Sequence, residues 1–213
     1  MFIYQGRHPR LEDRLNPYIK QEISRTVEVM QAIIADQALL ETVERLGAAC
    51  ARAIAAGGKV MFCGNGGSAA DSQHLAAELV GKLCFDRPAM AGLALTVDSS
   101  ALTALGNDFG YEYVFSRQLE GVGRSGDVLV GISTSGRSKN VVKAMESARR
   151  MGIVTVALTG ANRGPMADLA DYWLAIPATE TQKIQEGHIV LGHIFCALIE
   201  QAIHDERGDR GSA

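Results

Sequence analysis

The sequence predicts an α/β protein: a three-layer α/β/α sandwich around a five-stranded parallel sheet, preceded by N-terminal helices. Three observations predict it. Five short apolar runs occupy 59–64, 92–97, 127–133, 154–160 and 172–178, with the near-continuous Val/Leu/Ile character of strands buried on both faces. Segments of helical pattern separate them, as parallel strands joined by crossovers require. Ahead of the first strand, 11–56 carries apolar residues at helical spacing. A chain of 213 residues makes one domain with a sizeable core.

Each element follows from its residues. Ile23, Val27, Met30, Ile33 and Ile34, then Leu39, Leu40, Val43 and Leu46, form the apolar stripes of two N-terminal helices, and Gly57-Gly58 ends them. The first strand, 59–64, runs into Gly64-Asn65-Gly66-Gly67-Ser68 and a helix over 68–82. The second, 92–97, leads through Asp98-Ser99-Ser100 to a helix over 99–105, then Gly106-Asn107-Asp108-Phe109-Gly110 and a helix over 111–122. The third, 127–133, enters Ser133-Thr134-Ser135-Gly136-Arg137-Ser138 and a helix over 138–151. The fourth and fifth strands precede a last helix over 181–204, and the polar tail 205–213 is expected to be disordered. No repeat or linker splits the chain, so 1–213 reads as a single domain.

Composition narrows the function. A net charge of -3 provides no basic field for nucleic acid. No apolar run approaches the ~18 residues that a membrane span needs, and Met1-Phe-Ile-Tyr-Gln-Gly-Arg-His8 lacks the form of a secretion signal. Cys50, Cys63, Cys84 and Cys196 are scattered without a Cys-x-x-Cys pair, and read as reduced thiols. A cytoplasmic protein with no nucleic-acid or membrane partner is expected.

Parallel sheets of this kind bind ligands at the carboxyl ends of their strands. The first strand ends in a glycine turn that brings backbone N–H groups to a helix N-terminus, which suits an anionic or hydroxylated ligand. On that helix His74 and Glu78 stand four residues apart, on one face, as an acid/base or metal-ligand pair. The third strand ends in a hydroxyl-rich loop that can satisfy phosphate oxygens, although Ser135 or Ser138 alone reads equally as a helix N-cap. In the last helix, His188 reads as a structural histidine. Gln185 and His193 are eight residues apart, about 12 Å along a straight helix, so one ion reaches both only with extended side chains or across subunits.

Taken together, Cys63-Gly-Asn-Gly-Gly-Ser68, His74-Leu-Ala-Ala-Glu78, Gly106-Asn-Asp-Phe-Gly110, Gly131-Ile-Ser-Thr-Ser-Gly136 and Ile184-Gln-Glu-Gly-His188 with His193 resemble the bacterial phosphoheptose isomerases. These belong to the sugar-isomerase (SIS) domain superfamily, with a flavodoxin-like sheet. The resemblance spans 11–204. It implies a sugar-phosphate site lined by Asn65, Gly66, Gly67, Ser68, His74, Glu78, Asn107, Asp108 and Gln185, with Ser133, Thr134, Ser135 and Ser138 holding the phosphate. It further implies one Zn²⁺ per subunit on His74, Glu78, Gln185 and His193, catalysis by Glu78 and His193, and a homotetramer.

The implied reaction converts D-sedoheptulose 7-phosphate to D-glycero-D-manno-heptose 7-phosphate, toward nucleotide-activated heptose for lipopolysaccharide core or a related surface glycan. Interconverting ketose and aldose moves one proton between C1 and C2 through an enediol(ate) and another between the oxygens, work suited to a carboxylate and an imidazole. Two other classes stand beside this: a non-catalytic regulator of the replication-initiator-binding type, and a sugar-phosphate sensor. The presence of both Glu78 and His193 favours the enzyme. The N-terminal helices are expected both to pack on the sheet and to form an oligomer interface.

Overall fold

A computed structural model describes residues 16–211, with side chains through 205. Two helices, α1 (Pro17–Ala35) and α2 (Gln37–Ala55), precede an alternating core. That core runs β1 (Val60–Gly64), α3 (Gly67–Val80), β2 (Gly92–Ala94), α4 (Ser99–Asp108), a 3-10 turn (Tyr111–Tyr113) and α5 (Val114–Val122). It continues with β3 (Val128–Ile132), α6 (Lys139–Arg150), β4 (Val154–Thr159), α7 (Pro165–Leu169), β5 (Tyr172–Ala175) and α8 (Thr181–Gly211).

The strands lie in the order β2-β1-β3-β4-β5, every pair parallel. This is the doubly wound flavodoxin-like order, in which the chain reverses direction across the sheet between β1 and β3. Side chains alternate across the sheet as a pleat requires. Val60, Phe62, Val130, Ile132, Val156 and Leu158 face a core closed by α2, α3 and α8. Met61, Cys63, Leu129 and Ala157 face a second core closed by α5 and α6, with Met166 of α7 added. Two helical layers therefore sandwich one sheet, as the sequence predicts.

Differences from the sequence reading are local. β2 is three residues long; Leu95 donates one more bond, from its N to the Phe62 carbonyl, before the chain leaves the sheet. The short α7, begun by Pro165, escapes periodicity because five residues span little more than one turn. The last helix continues to Gly211, past the end at His204 and through most of the tail expected to be disordered; 212 and 213 lie outside the described residues. The expected start of α1 at 11–15 lies outside them too. Its described start is Pro17, the first helical position, after Asn16, whose side chain accepts from Tyr18 N.

Candidate active site

The carboxyl end of the sheet gathers the polar loops. Gly66, between β1 and α3, has φ 57° and ψ -121°, a conformation that a side chain would strain, and it turns the chain sharply into α3. No side chain caps that helix, so its N-terminus faces the site with its dipole unanswered by protein. Asn65 is held by a reciprocal amide pair with the buried Asn140: Asn65 Nδ2 donates to Asn140 Oδ1 at 2.9 Å, and Asn140 Nδ2 donates back at 2.8 Å. Tyr111 adds its hydroxyl at 3.3 Å from Asn65 Oδ1. These three residues border a cavity of about 600 Å³ with Phe109, Gly110, Glu112, Ser138 and Lys139.

In the hydroxyl loop after β3 the two candidate caps differ, for Ser135 Oγ accepts from Arg137 N at 3.2 Å. Ser138 occupies the N-cap position of α6 yet makes no capping bond. Its Oγ instead lies 2.9 Å from Ser133 Oγ, and Ser135 Oγ lies 3.4 Å from the same atom. Three hydroxyls thus cluster at an uncapped helix N-terminus, the geometry of an anion cradle. Gly136, at φ 64°, turns the loop around them.

A second cluster joins α3 to α8. His74 Nε2 lies 2.9 Å from Glu78 Oε1 and 3.1 Å from His193 Nε2. One ligand atom from each of the three residues lies within 4.8 Å of the other two. The helices approach closely here because α8 carries Gly192: a Cβ at that position would stand 2.7 Å from Leu75 Cδ2. Glu78 is half-buried and the His74 side chain is 48% exposed, so the cluster opens to solvent.

The hydrogen-bond arithmetic of this cluster is unfavourable without a cation. If His74 Nε2 carries the proton that Glu78 accepts, it has no lone pair for His193. A cation in place of that proton would take all three lone pairs at once. Two imidazoles and a carboxylate are a donor set that suits a divalent metal of the zinc class.

Several expected residues sit elsewhere. Gln185 packs against the glycine turn, its Nε2 within 2.5 Å of where a Gly67 Cβ would stand, while His193 lies two turns further along α8. Asn107 and Asp108 end α4 exposed, bonded to each other at 2.8 Å, just before the Phe109–Glu112 wall of the cavity. Ser68 is 4% exposed and lies beneath the turn; Thr134 is half-buried and Ser135 exposed in the hydroxyl loop. His188 is fully buried, with Nε2 3.1 Å from the Thr159 carbonyl, and burial pushes its pKa down to about 4. It is structural, as expected.

Sequence reasoning missed Asp71, one turn before His74. Burial pushes its carboxyl up, against the opposing pull of His74 and His193, and its Oδ2 is buried without a partner. Its spacing of three from His74 and seven from Glu78 is the signal that could have found it. Asn140 and Tyr111 were missed as well, since neither falls in a motif with chemistry of its own.

Fold and site together define a SIS-type α/β domain: the SIS domain family profile matches residues 23–160. Among curated relatives, the phosphoheptose isomerase of Akkermansia muciniphila is 56% identical over 89% of this chain and 99% of its own. That of Aneurinibacillus thermoaerophilus is 51% identical over 89% of this chain and 96% of its own. Among solved structures, the phosphoheptose isomerase of Neisseria gonorrhoeae matches with a TM-score of 0.82 and 40% identity, over 88% of this chain and 100% of its own. The chain belongs to the phosphoheptose isomerases, aldose–ketose isomerases built on the SIS domain.

Proposed function

We propose that this protein interconverts D-sedoheptulose 7-phosphate and D-glycero-D-manno-heptose 7-phosphate, using Glu78 and His193 as its acid/base pair. The observation that carries the reading is the meeting of His74, Glu78 and His193 between α3 and α8. The phosphate is assigned to Ser133, Thr134, Ser135 and Ser138 at the N-terminus of α6, where the helix dipole favours an anion. Asn65, Gly66, Gly67 and Ser68 are assigned to the sugar beside them, with Asn107, Asp108 and Gln185 as further contacts. Binding the phosphate at a fixed point presents C1 and C2 to the acid/base pair and lowers the entropic part of the barrier.

Glu78 Oε1 is engaged with His74, which leaves Oε2 to carry a proton between C1 and C2. His193 serves the second proton, exchanged between the two oxygens. His74 orients Glu78, by their hydrogen bond without a metal and by sharing the ion when one is bound. Zn²⁺ is assigned to His74, Glu78 and His193, one ion per subunit, with Gln185 as a fourth ligand reached by rotation of its side chain or from a neighbouring subunit. When bound, the ion would act as a Lewis acid on the substrate oxygens.

A cytoplasmic homotetramer feeding nucleotide-activated heptose to lipopolysaccharide core or a related surface glycan completes the reading. Ile19, Ile23 and Val27 form an exposed stripe on α1 at spacing four, and Val190 and Ile194 are exposed beside His193 on α8, a surface that a second copy would cover. Among the described residues no helix is long and apolar enough to cross a membrane.

The test is isomerisation of sedoheptulose 7-phosphate by the purified protein, before and after chelation and after zinc is restored. Turnover that chelation abolishes and zinc restores supports the assignment. A folded protein with no turnover in any condition overturns it. Val27→Glu, read by sedimentation, is expected to release species smaller than a tetramer.

A further inference from the structure

The two helices that carry the acid/base pair are tied together at a distance from it. Glu200 lies on α8, two turns beyond His193, and its side chain is completely buried. Its carboxylate accepts from three successive backbone N–H groups after α3: Leu83 at 3.0 Å, Cys84 at 2.5 Å and Phe85 at 3.1 Å. Arg87 Nε donates to the same carboxylate at 2.8 Å. Burial pushes the Glu200 carboxyl up, but these donors outweigh it and hold it below the usual carboxylate range.

Arg87 then reaches back along α3. Its Nη2 donates to the Glu78 carbonyl at 2.8 Å, and its Nη1 to the carbonyls of Leu79 at 3.0 Å and Gly81 at 3.1 Å. These belong to the last turn of α3, whose carbonyls have no partner within the helix, and a cation there also answers the negative end of the dipole. The Arg87 side chain is 5% exposed, so its bonds are made largely away from competing water. One side chain therefore grips the backbone of Glu78 itself while fixed to the helix that carries His193.

We propose that Arg87, anchored by Glu200, is a positioning residue that sets the register of α3 against α8 and with it the separation of Glu78 from His193. The bond from Glu200 Oε1 through the Arg87 fork to the Glu78 carbonyl is a rigid strut of planar groups. A lysine can keep the ion pair with Glu200, but its single ammonium cannot reproduce the fork. The inference rests on the proposed acid/base roles for its effect on turnover, while its effect on metal binding does not depend on them.

The test compares Arg87→Lys with the parent in three readings: kcat and KM for sedoheptulose 7-phosphate, Zn²⁺ affinity by competition with a chromogenic chelator, and Tm. Asp171→Ala, which cuts the bonds from Thr155 N and Oγ1 at the far end of the sheet, serves as a stability control. We expect Arg87→Lys to lower kcat about 10- to 100-fold with KM within about twofold, and to weaken Zn²⁺ about tenfold. The control should lose Tm without either change. Unaltered kcat and Zn²⁺ affinity in Arg87→Lys, or an equal fall in the control, would overturn the proposal. Should Arg87→Lys not fold, Glu200→Gln is read by the same criteria. If the parent itself has no turnover, the proposed substrate fails, and the Zn²⁺ titration alone still decides the strut.

Discussion

The two ends of the sheet treat their polar groups in opposite ways. At the amino end they are closed on one another: Asp127, 1% exposed, accepts from Lys59 N at 3.0 Å, Lys59 Nζ at 2.6 Å and Arg124 N at 2.8 Å. Asp171 likewise accepts from Thr155 N at 2.8 Å and Thr155 Oγ1 at 3.0 Å. At the carboxyl end two helix N-termini lack side-chain caps and three serine hydroxyls face one another, while between α3 and α8 His74 Nε2 meets both Glu78 Oε1 and His193 Nε2. Satisfied groups stabilise a fold, whereas groups held in place and left short of partners await a ligand. The contrast locates function more sharply than cavity size does, because a cavity of about 570 Å³ also lies at the amino end, lined by Arg52, Gly126 and Tyr172.

This comparison can be broken at several points. Asp127→Ala strips partners from Lys59 and from two backbone N–H groups. It should cost about 3 kcal/mol in chemical denaturation, the low end for a broken buried pair because Lys59 is partly wet. Per folded molecule its turnover should match the parent, and a selective loss would blur the division between the ends.

His188 offers a test of similar size, since it is fully buried where His74 and His193 are not. The unfolded chain takes up this proton near pH 6.5, the folded protein near 4. Its contribution is therefore full above pH 6.5 and falls by about 3 kcal/mol as pH drops toward 4. The pH dependence of unfolding should flatten by that amount in His188→Gln, relative to the parent over the same window.

The smallest effect separates a cap from a cradle. Asp98 caps α4 through its bond from Ala101 N at 2.9 Å, so Asp98→Ala should cost about 1 kcal/mol. Ser138→Ala, at an equivalent N-cap position without the bond, should change stability by less than about 0.5 kcal/mol. It should nevertheless weaken competitive inhibition by inorganic phosphate. Equal stability losses in the two variants would return Ser138 to an ordinary cap.

Much of this organisation was legible in the sequence because the signals are local. Periodicity placed all five strands and the long helices, since parallel strands covered on both faces read as unbroken apolar runs. The spacing of four put His74 beside Glu78 on one helical turn, as found. What connects distant segments lay beyond periodicity and spacing; only the family resemblance placed His74 and His193 on one ion. The His74–His193 contact spans 119 positions and depends on Gly192 letting Leu75 approach, which no window of sequence displays. The Asn65–Asn140 pair and the Arg87–Glu200 strut are likewise products of the sheet order. Short elements such as α7 fall below the length at which periodicity carries information.

The central claim is that the His74–Glu78–His193 cluster between α3 and α8 moves protons on a sugar phosphate. Turnover of sedoheptulose 7-phosphate in D₂O by the parent and Glu78→Gln, followed by NMR, tests it most directly. The account predicts solvent deuterium at C2 of the parent's aldose product, and a rate at least about 100-fold lower in a Glu78→Gln protein of unchanged Tm. Product formed by Glu78→Gln at the parent's rate would contradict it.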